Sequence, residues 1–353
     1  MAWFAGSVKL DWTPSGLTLG RWAEKVGEMA ETAIRQAGEP YRQLSPEREK
    51  LLLANSISPL PLHKTLILLE QLQAVPPVYS RHLQLALAKA LVTAISNLRF
   101  GPEVGIGKAK QDAAVVESWL EQVNCMAQDL ALLQNLPPAP ARVHHGDSRQ
   151  LLQLLEPASI NAVITSPPYP NEKDYTRTTR LESVLLGFIN TKAELRSFKE
   201  GLIRSNTRNV FKVDTDDLWV SHHPEIQRLA GEIEARRLAL GKTSGFERLY
   251  HRTVKLYFGG MAKHLADLRP LLRPGAHLAY VVGDQKSYLQ VMIRTGQLLA
   301  NIAEGLGYEV EAIELFRTRA ATATKEQVRE EVVLLRWSGE WPTHPYPFSD
   351  RSL

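Results

Sequence analysis

The sequence predicts an α/β protein with an incomplete sheet in its second half and a helical N-terminal region. Three observations carry that expectation. Apolar residues recur at helical spacing through residues 1–136, with no convincing parallel strand among them. Between 142 and 165 a short strand, a helical turn and an apolar strand follow one another closely, which is an α/β texture. A further apolar strand at His277–Val282 precedes an amphipathic stretch and two alternating runs, which read as an antiparallel pair.

Taken in order, Arg21–Gln36, Leu66–Leu72, Arg81–Leu98 and Asp112–Leu133 read as helices, with Asp112 a plausible N-cap. Phe100–Lys108 breaks them as a loop. Its Gly-x-Gly invites a phosphate-loop reading, but it follows a helix and lacks a third glycine, so a turn between helices is favoured. Pro137-Pro138-Ala139-Pro140 is a stiff linker and a domain boundary. Arg142–His145 reads as a short strand, 149–155 as a helical turn, and Ile160–Thr165 as a strand. Residues 170–260 form a helical insertion, with a helix near Pro224–Leu240 and another over Phe246–Leu272 that stops at Arg273-Pro274-Gly275. Val291–Leu306 is amphipathic, and Tyr308–Phe316 and Glu331–Trp337 form the final β-pair. The expected domains are therefore 1–136 (helical), 141–337 (α/β, with the 170–260 insertion) and a tail, 338–353.

Composition narrows the function classes. The net charge of +4 is too small to imply a nucleic-acid partner by itself. Its distribution says more: Lys173–Lys212 holds nine Lys/Arg against four Asp/Glu, a local net of +5. The lone cysteine, Cys125, excludes an intrachain disulfide framework and fits a cytoplasmic location. Met1–Leu10 lacks the pattern of a signal peptide, and no run approaches the ~20 apolar residues of a membrane span. His144-His145 and His222-His223 lack metal-site spacing, so no metal is expected.

The chemistry concentrates in Thr165-Ser166-Pro167-Pro168-Tyr169, directly after the apolar strand. Two prolines hold the backbone extended and remove donors, leaving acceptors outward. Ser166 and the Pro167 carbonyl can accept hydrogen bonds from an amino group, while Tyr169 offers a flat face for a planar ring. The alternative is a rigid surface turn. Upstream, Gly146-Asp147 follows the 142–145 run; Asp147 is either an acceptor at a strand end or the N-cap of the next helical turn.

Gly146-Asp147, a helical turn and then Thr165–Tyr169 resembles the amino-methyltransferases that methylate exocyclic amines of DNA bases with S-adenosylmethionine. The resemblance covers about residues 141–337, and Asn171, Asp174, Tyr175 and Arg177 are also similar to a subgroup of bacterial DNA methylases. It implies an incomplete class I, Rossmann-like sheet. It also implies an amine-activating role for Ser166, Pro167 and Pro168, stacking of a flipped base on Tyr169, and cofactor contacts from Gly146, Asp147 and Thr165. Asn171, Tyr175, Arg177, Arg180, Arg204 and Arg208 would face DNA, with Lys192 and Arg196 beside them. The serine form of the turn favours N4-cytosine over N6-adenine and places the chain in restriction–modification chemistry.

One departure from the family is serious. No strand here leads into a Gly-rich cofactor loop, and only five of seven strands have candidates. Three explanations stand: a second polypeptide carries that loop, the chain is a catalytically silent DNA-binding or scaffold subunit, or a first strand lies within residues 1–20. The first is favoured. Methylation of an RNA amino group is a further alternative.

Overall fold

The computed structural model describes residues 1–101, 103–137, 139–171, 173–320 and 326–341, and the remaining tail lies outside them. Two units divide the chain: residues 1–145 with 175–197, and residues 146–174 with 198–353.

The first unit is built from helices α1 (Ala2–Lys9), α2 (Gly16–Ala37), α3 (Pro59–Gln71), α4 (Pro77–Ala90) and α5 (Val115–Leu133). Ser15 caps α2 by accepting from the Thr18 amide, and prolines open α3 and α4, where a missing N–H costs nothing. Asp112 is not a cap; it pairs with Lys64 at 2.5 Å, and α5 begins at Val115. Leu19, Leu68, Leu83, Leu87 and Trp119 are buried together. Gly16 allows a close crossing, since a Cβ there would lie 2.3 Å from the Ala127 carbonyl. The Gly-x-Gly loop forms a two-residue ladder, Leu98–Arg99 with Gly105–Ile106. Residues 1–20 hold helix and turn and no strand, which removes the reading of a first strand hidden there. Helix α6 (Arg180–Leu185) adds Leu181, Val184 and Leu185 to the same apolar cluster.

The second unit is mixed α/β. Its strands are β1 (Ile160–Thr165), β2 (Leu272–Gly283), β3 (Tyr308–Ala320) and β4 (Gln327–Trp337), in spatial order β1-β2-β4-β3. β1 and β2 run parallel, with Thr165 opposite Tyr280; the other neighbours are antiparallel. The helices are α7 (Pro224–Ala239), α8 (Tyr250–Leu268) and α9 (Thr295–Gly305).

Several sequence expectations change. Arg142–His145 forms no strand, and the 149–155 helix shrinks to a 3-10 turn at Leu151–Gln153. α8 ends at Leu268, so Arg273-Pro274-Gly275 lies within β2, beside a register shift in its pairing with β1, rather than at a helix stop. The β-pair is longer than its alternating core: β3 runs on through the polar Arg317–Ala320, and β4 begins at Gln327, where Val328 and Glu330 are buried.

Strand parity separates the two faces of this sheet. Ala276, Leu278, Tyr280 and Val282 of β2 and Val333, Leu335 and Trp337 of β4 are buried in one core with residues of α7, α8 and α9. α8 lies very close to residues 216–220, because a Cβ at Gly259 would sit 1.8 Å from the Asp216 carbonyl oxygen. No helix among the described residues is long and apolar enough to cross a membrane.

Gly259→Ala must push that segment away from α8. Chemical denaturation should show a loss of at least ~2 kcal/mol, in the range of overpacked cores; Gly231→Ala, where an added Cβ meets nothing within 4 Å, should show no such loss.

Candidate active site

The Thr165–Tyr169 turn lies at the carboxyl end of β1, beside the carboxyl end of β2. Ser166 is exposed, and Pro167, Pro168 and Tyr169 are half-buried. The Tyr169 ring rests over Gly283: a Cβ there would stand 3.1 Å from Tyr169 Cε2 and 3.3 Å from Glu330 Cγ. Glycine at that position thus lets an aromatic ring approach the end of the sheet. Burial raises the Tyr169 pKa, with Glu330 adding to the rise, so the phenol stays neutral. Ser166 acts in the opposite direction and lowers it.

Below the ring lies a small ionic cluster. Glu330 is buried and pairs with Arg317 and with Arg319 Nε at 3.3 Å. Arg319 also donates to the Asp284 carbonyl at 2.9 Å. None of these residues stands out in the sequence; only the antiparallel register of β3 and β4 brings them to the turn.

The Gly146–Arg149 segment is held differently. Arg149 is 7% exposed and grips both Asp147 oxygens, with NH2 to Oδ2 at 2.6 Å, Nε to Oδ1 at 2.9 Å and Nε to Oδ2 at 3.1 Å. The Arg149 amide also donates to Asp147 Oδ1 at 2.9 Å, a local turn and not the helix N-cap, since Gln150 stands at the N-cap of the Leu151–Gln153 turn. The same guanidinium pairs with Asp216 and donates to the Glu200 carbonyl at 3.2 Å. Burial acts to raise the Asp147 pKa, but hydrogen bonds and charge from Arg149 outweigh it and hold the carboxyl low. The Asp147 carboxylate is thus engaged by Arg149 and is not left open as a cofactor acceptor.

A second tie runs through His264. Its Nδ1 lies 2.8 Å from the Ser148 carbonyl, which can only accept, so Nδ1 carries the proton. Nε2 then accepts from the Tyr280 hydroxyl at 2.7 Å. Burial lowers the His264 pKa, which keeps the ring neutral and suits this arrangement.

The basic residues separate by use. Arg204 is 3% exposed and fully committed: it pairs with both oxygens of Asp214 at 2.7 and 2.9 Å and donates to the carbonyls of Lys199, Glu200 and Leu202. It is an internal clamp rather than a phosphate contact. Arg180, in the first unit, donates to Thr176 and to the Leu51 carbonyl and is likewise structural. Tyr175 and Arg177 also belong to the first unit, with Tyr175 exposed and Arg177 Nε buried without a hydrogen-bond partner among the described residues. Arg208 is exposed, with its guanidinium 5.6 Å from the Phe246 ring centroid. Asn171 is turned inward: its amide donates to the Ser205 carbonyl at 3.1 Å and its Oδ1 accepts from Lys173.

The residues present do not make a full site for S-adenosylmethionine. Asp147 is occupied by Arg149, and none of the four strands of this sheet leads into a Gly-x-Gly sequence. Among the described residues no group of His, Cys, Asp and Glu side chains could hold a metal ion.

No protein-family model matches the chain, and no solved structure matches it. Its curated relatives are Type II methyltransferases. M.AvaI of Nostoc sp. and M.AvaI of Anabaena variabilis are each 29% identical over 187 residues, 50% of this chain and 36% of theirs. M.BsoBI of Geobacillus stearothermophilus is 26% identical over 242 residues, 64% of this chain and 47% of its own. The chain therefore spans less than half the length of these relatives.

The His264 pKa is lowered from 6.5 on folding, so the unfolded chain takes up the proton first as pH falls. The contribution is fully present above pH 6.5 and is lost as the pH drops through the folded value. Thermal melts from pH 8 to 5 should fall with acidity, and His264→Gln should flatten that slope while lowering the melting temperature at pH 8. An unchanged slope would refute the assignment.

Proposed function

We propose that the chain is the amine-binding part of an S-adenosylmethionine-dependent DNA methyltransferase of the cytoplasm. Its target is an exocyclic amine, N4 of cytosine in preference to N6 of adenine. The observation that carries this reading is the Ser166–Tyr169 turn at the carboxyl end of a parallel strand, in a chain similar to Type II methyltransferases. The preference for cytosine rests on serine standing first in that turn.

The chemistry asked of the chain is modest. An exocyclic amine is a poor nucleophile because its lone pair is delocalised into the ring. Acceptors on its hydrogens draw that pair out of the plane. Ser166 is exposed at the strand end, and the adjacent proline-rich backbone supplies the Pro167 carbonyl. A base must leave the duplex to reach them, and the Tyr169 face receives it. Positioning of this kind accounts for much of the rate. Arg208, Lys192 and Arg196 are exposed cations suited to phosphate contacts, and Asn171 steadies the chain just beyond the turn.

The methyl donor needs residues that this chain does not supply. In our reading a second polypeptide carries the Gly-rich loop, and Gly146, Asp147 and Thr165 border that site. The engaged state of Asp147 favours one competing reading, a DNA-binding subunit without catalysis.

One assay separates the two. Transfer of labelled methyl groups to duplex DNA is measured with the chain alone and with the polypeptides encoded beside it. Incorporation should require both parts. Ser166→Ala should lower turnover on the order of 10²-fold, as loss of a preorganised polar contact does, and Tyr169→Ala should weaken base capture by ~1–3 kcal/mol. No incorporation under any combination, with the chain folded, would sink the enzymatic reading.

A further inference from the structure

Among the described residues, the middle of the second unit's sheet is fully buried on one face and only partly on the other. The residues of opposite parity are Ala162 and Ile164 on β1, Ala279 and Val281 on β2, Val332 and Leu334 on β4, and Ala312 on β3. Ile164 is 85% exposed, Ala162 is exposed, and the others are half-buried. Among the described residues Ile164, Val281, Val332 and Leu334 join none of the buried clusters.

This state is unusual for the parallel pair β1–β2, since parallel strands are ordinarily covered on both faces. β1 is also an edge strand: among the described residues it pairs only with β2. Exposed edges are normally protected by charge, proline or a bulge. Ile160-Asn161-Ala162-Val163-Ile164-Thr165 contains no charge and no proline, and the register shift in its pairing with β2 lies at Ile160–Ala162, away from Ile164. The same face also carries charge: His277 of β2, the register partner of Ala162, lies 3.4 Å from Glu311 of β3, Arg336 of β4 lies 3.7 Å from Glu309 of β3, and Glu314 of β3 is exposed. The apolar part of this face is therefore the patch of Ile164, Ala279, Val281, Val332 and Leu334.

We infer that the free edge of β1 and the adjoining face are the seat of a second polypeptide, which adds a strand parallel to β1 and lays an apolar helix face over Ile164, Val281, Val332 and Leu334. This rests on the reading of the chain as one part of a methyltransferase and names where the other part binds. Two observations choose this occupant. The matched relatives have more than half of their length beyond the region shared with this chain, enough for such a complement. Gly283 shares the parity of this patch, and Tyr169 stands over it, so whatever fills this face abuts the Ser166 turn. A second copy pairing through the same edge would be antiparallel by two-fold symmetry and would bring no parallel strand to that turn.

The test places the photo-crosslinking amino acid p-benzoylphenylalanine at Ile164 or at Leu334 of the full chain, expressed in its natural host. Crosslinked peptides should map to one polypeptide that contains a strand followed by a Gly-rich loop. Mapping to a second copy, to the chain itself, or to nothing at either position overturns the inference. Leu334→Asp and Val281→Asp should each weaken co-elution with that polypeptide at least tenfold while leaving the thermal melt of the isolated chain in place; unchanged co-elution overturns it as well. Tyr169→Ala should keep co-elution and lose methyl transfer. If the two polypeptides assemble as argued and DNA still receives no methyl group, the seat stands and the proposed function falls.

Discussion

A buried guanidinium organises the front of the second unit. Arg149 connects Asp147, Asp216 and the Glu200 carbonyl, and Lys263 approaches Asp216 at 3.9 Å. Removing one member would strand uncompensated charge in a poorly solvated place, a change that typically costs ~3–5 kcal/mol. The knot therefore constrains three distant stretches of chain at once. The Asp267 carboxylate accepts from the Leu151 and Leu152 amides next to it, and His264 holds the Ser148 carbonyl. Residues 146–155 have little regular structure, yet their backbone is tied repeatedly to α8.

This anchoring bears on the chemistry of the turn beyond β1. Tyr280 is the register partner of Thr165 and also the hydroxyl donor to His264. One side chain thus joins the Gly146–Arg149 segment, α8 and the strand pair that presents Ser166. At this end of the sheet Tyr169 packs over the buried Gly283 and Glu330 and against the apolar core, while Ser166 beside it is exposed.

The distribution of charge follows the same division. Of the arginines in the basic segment, Arg204 and Arg180 turn inward because backbone carbonyls and buried carboxylates need donors there. A guanidinium has five N–H groups in a fixed fork, so one residue can satisfy several acceptors. Arg208 lies at the surface instead, with its guanidinium against the Phe246 ring. Local net charge in a sequence cannot separate these fates, since it counts charges without their partners.

The sequence by itself determined the elements whose signal is local. The long helices, β2 and β4 show the period that their burial requires, and the strand Ile160–Thr165 shows as a short apolar run. The Ser166–Tyr169 turn was legible because prolines act on their own neighbours. Tertiary structure alone decided what depends on partners far apart in the chain. Arg142–His145 alternates weakly and finds no strand to pair with, so it stays outside the sheet. Asp147 became the ligand of Arg149, whose other partner, Asp216, lies 67 residues away. Gly283, Glu330 and Arg319 met Tyr169 through strand register. The partly buried face has the same origin: alternation shows that a strand has two faces, but only the assembled sheet reveals which of them the chain can cover.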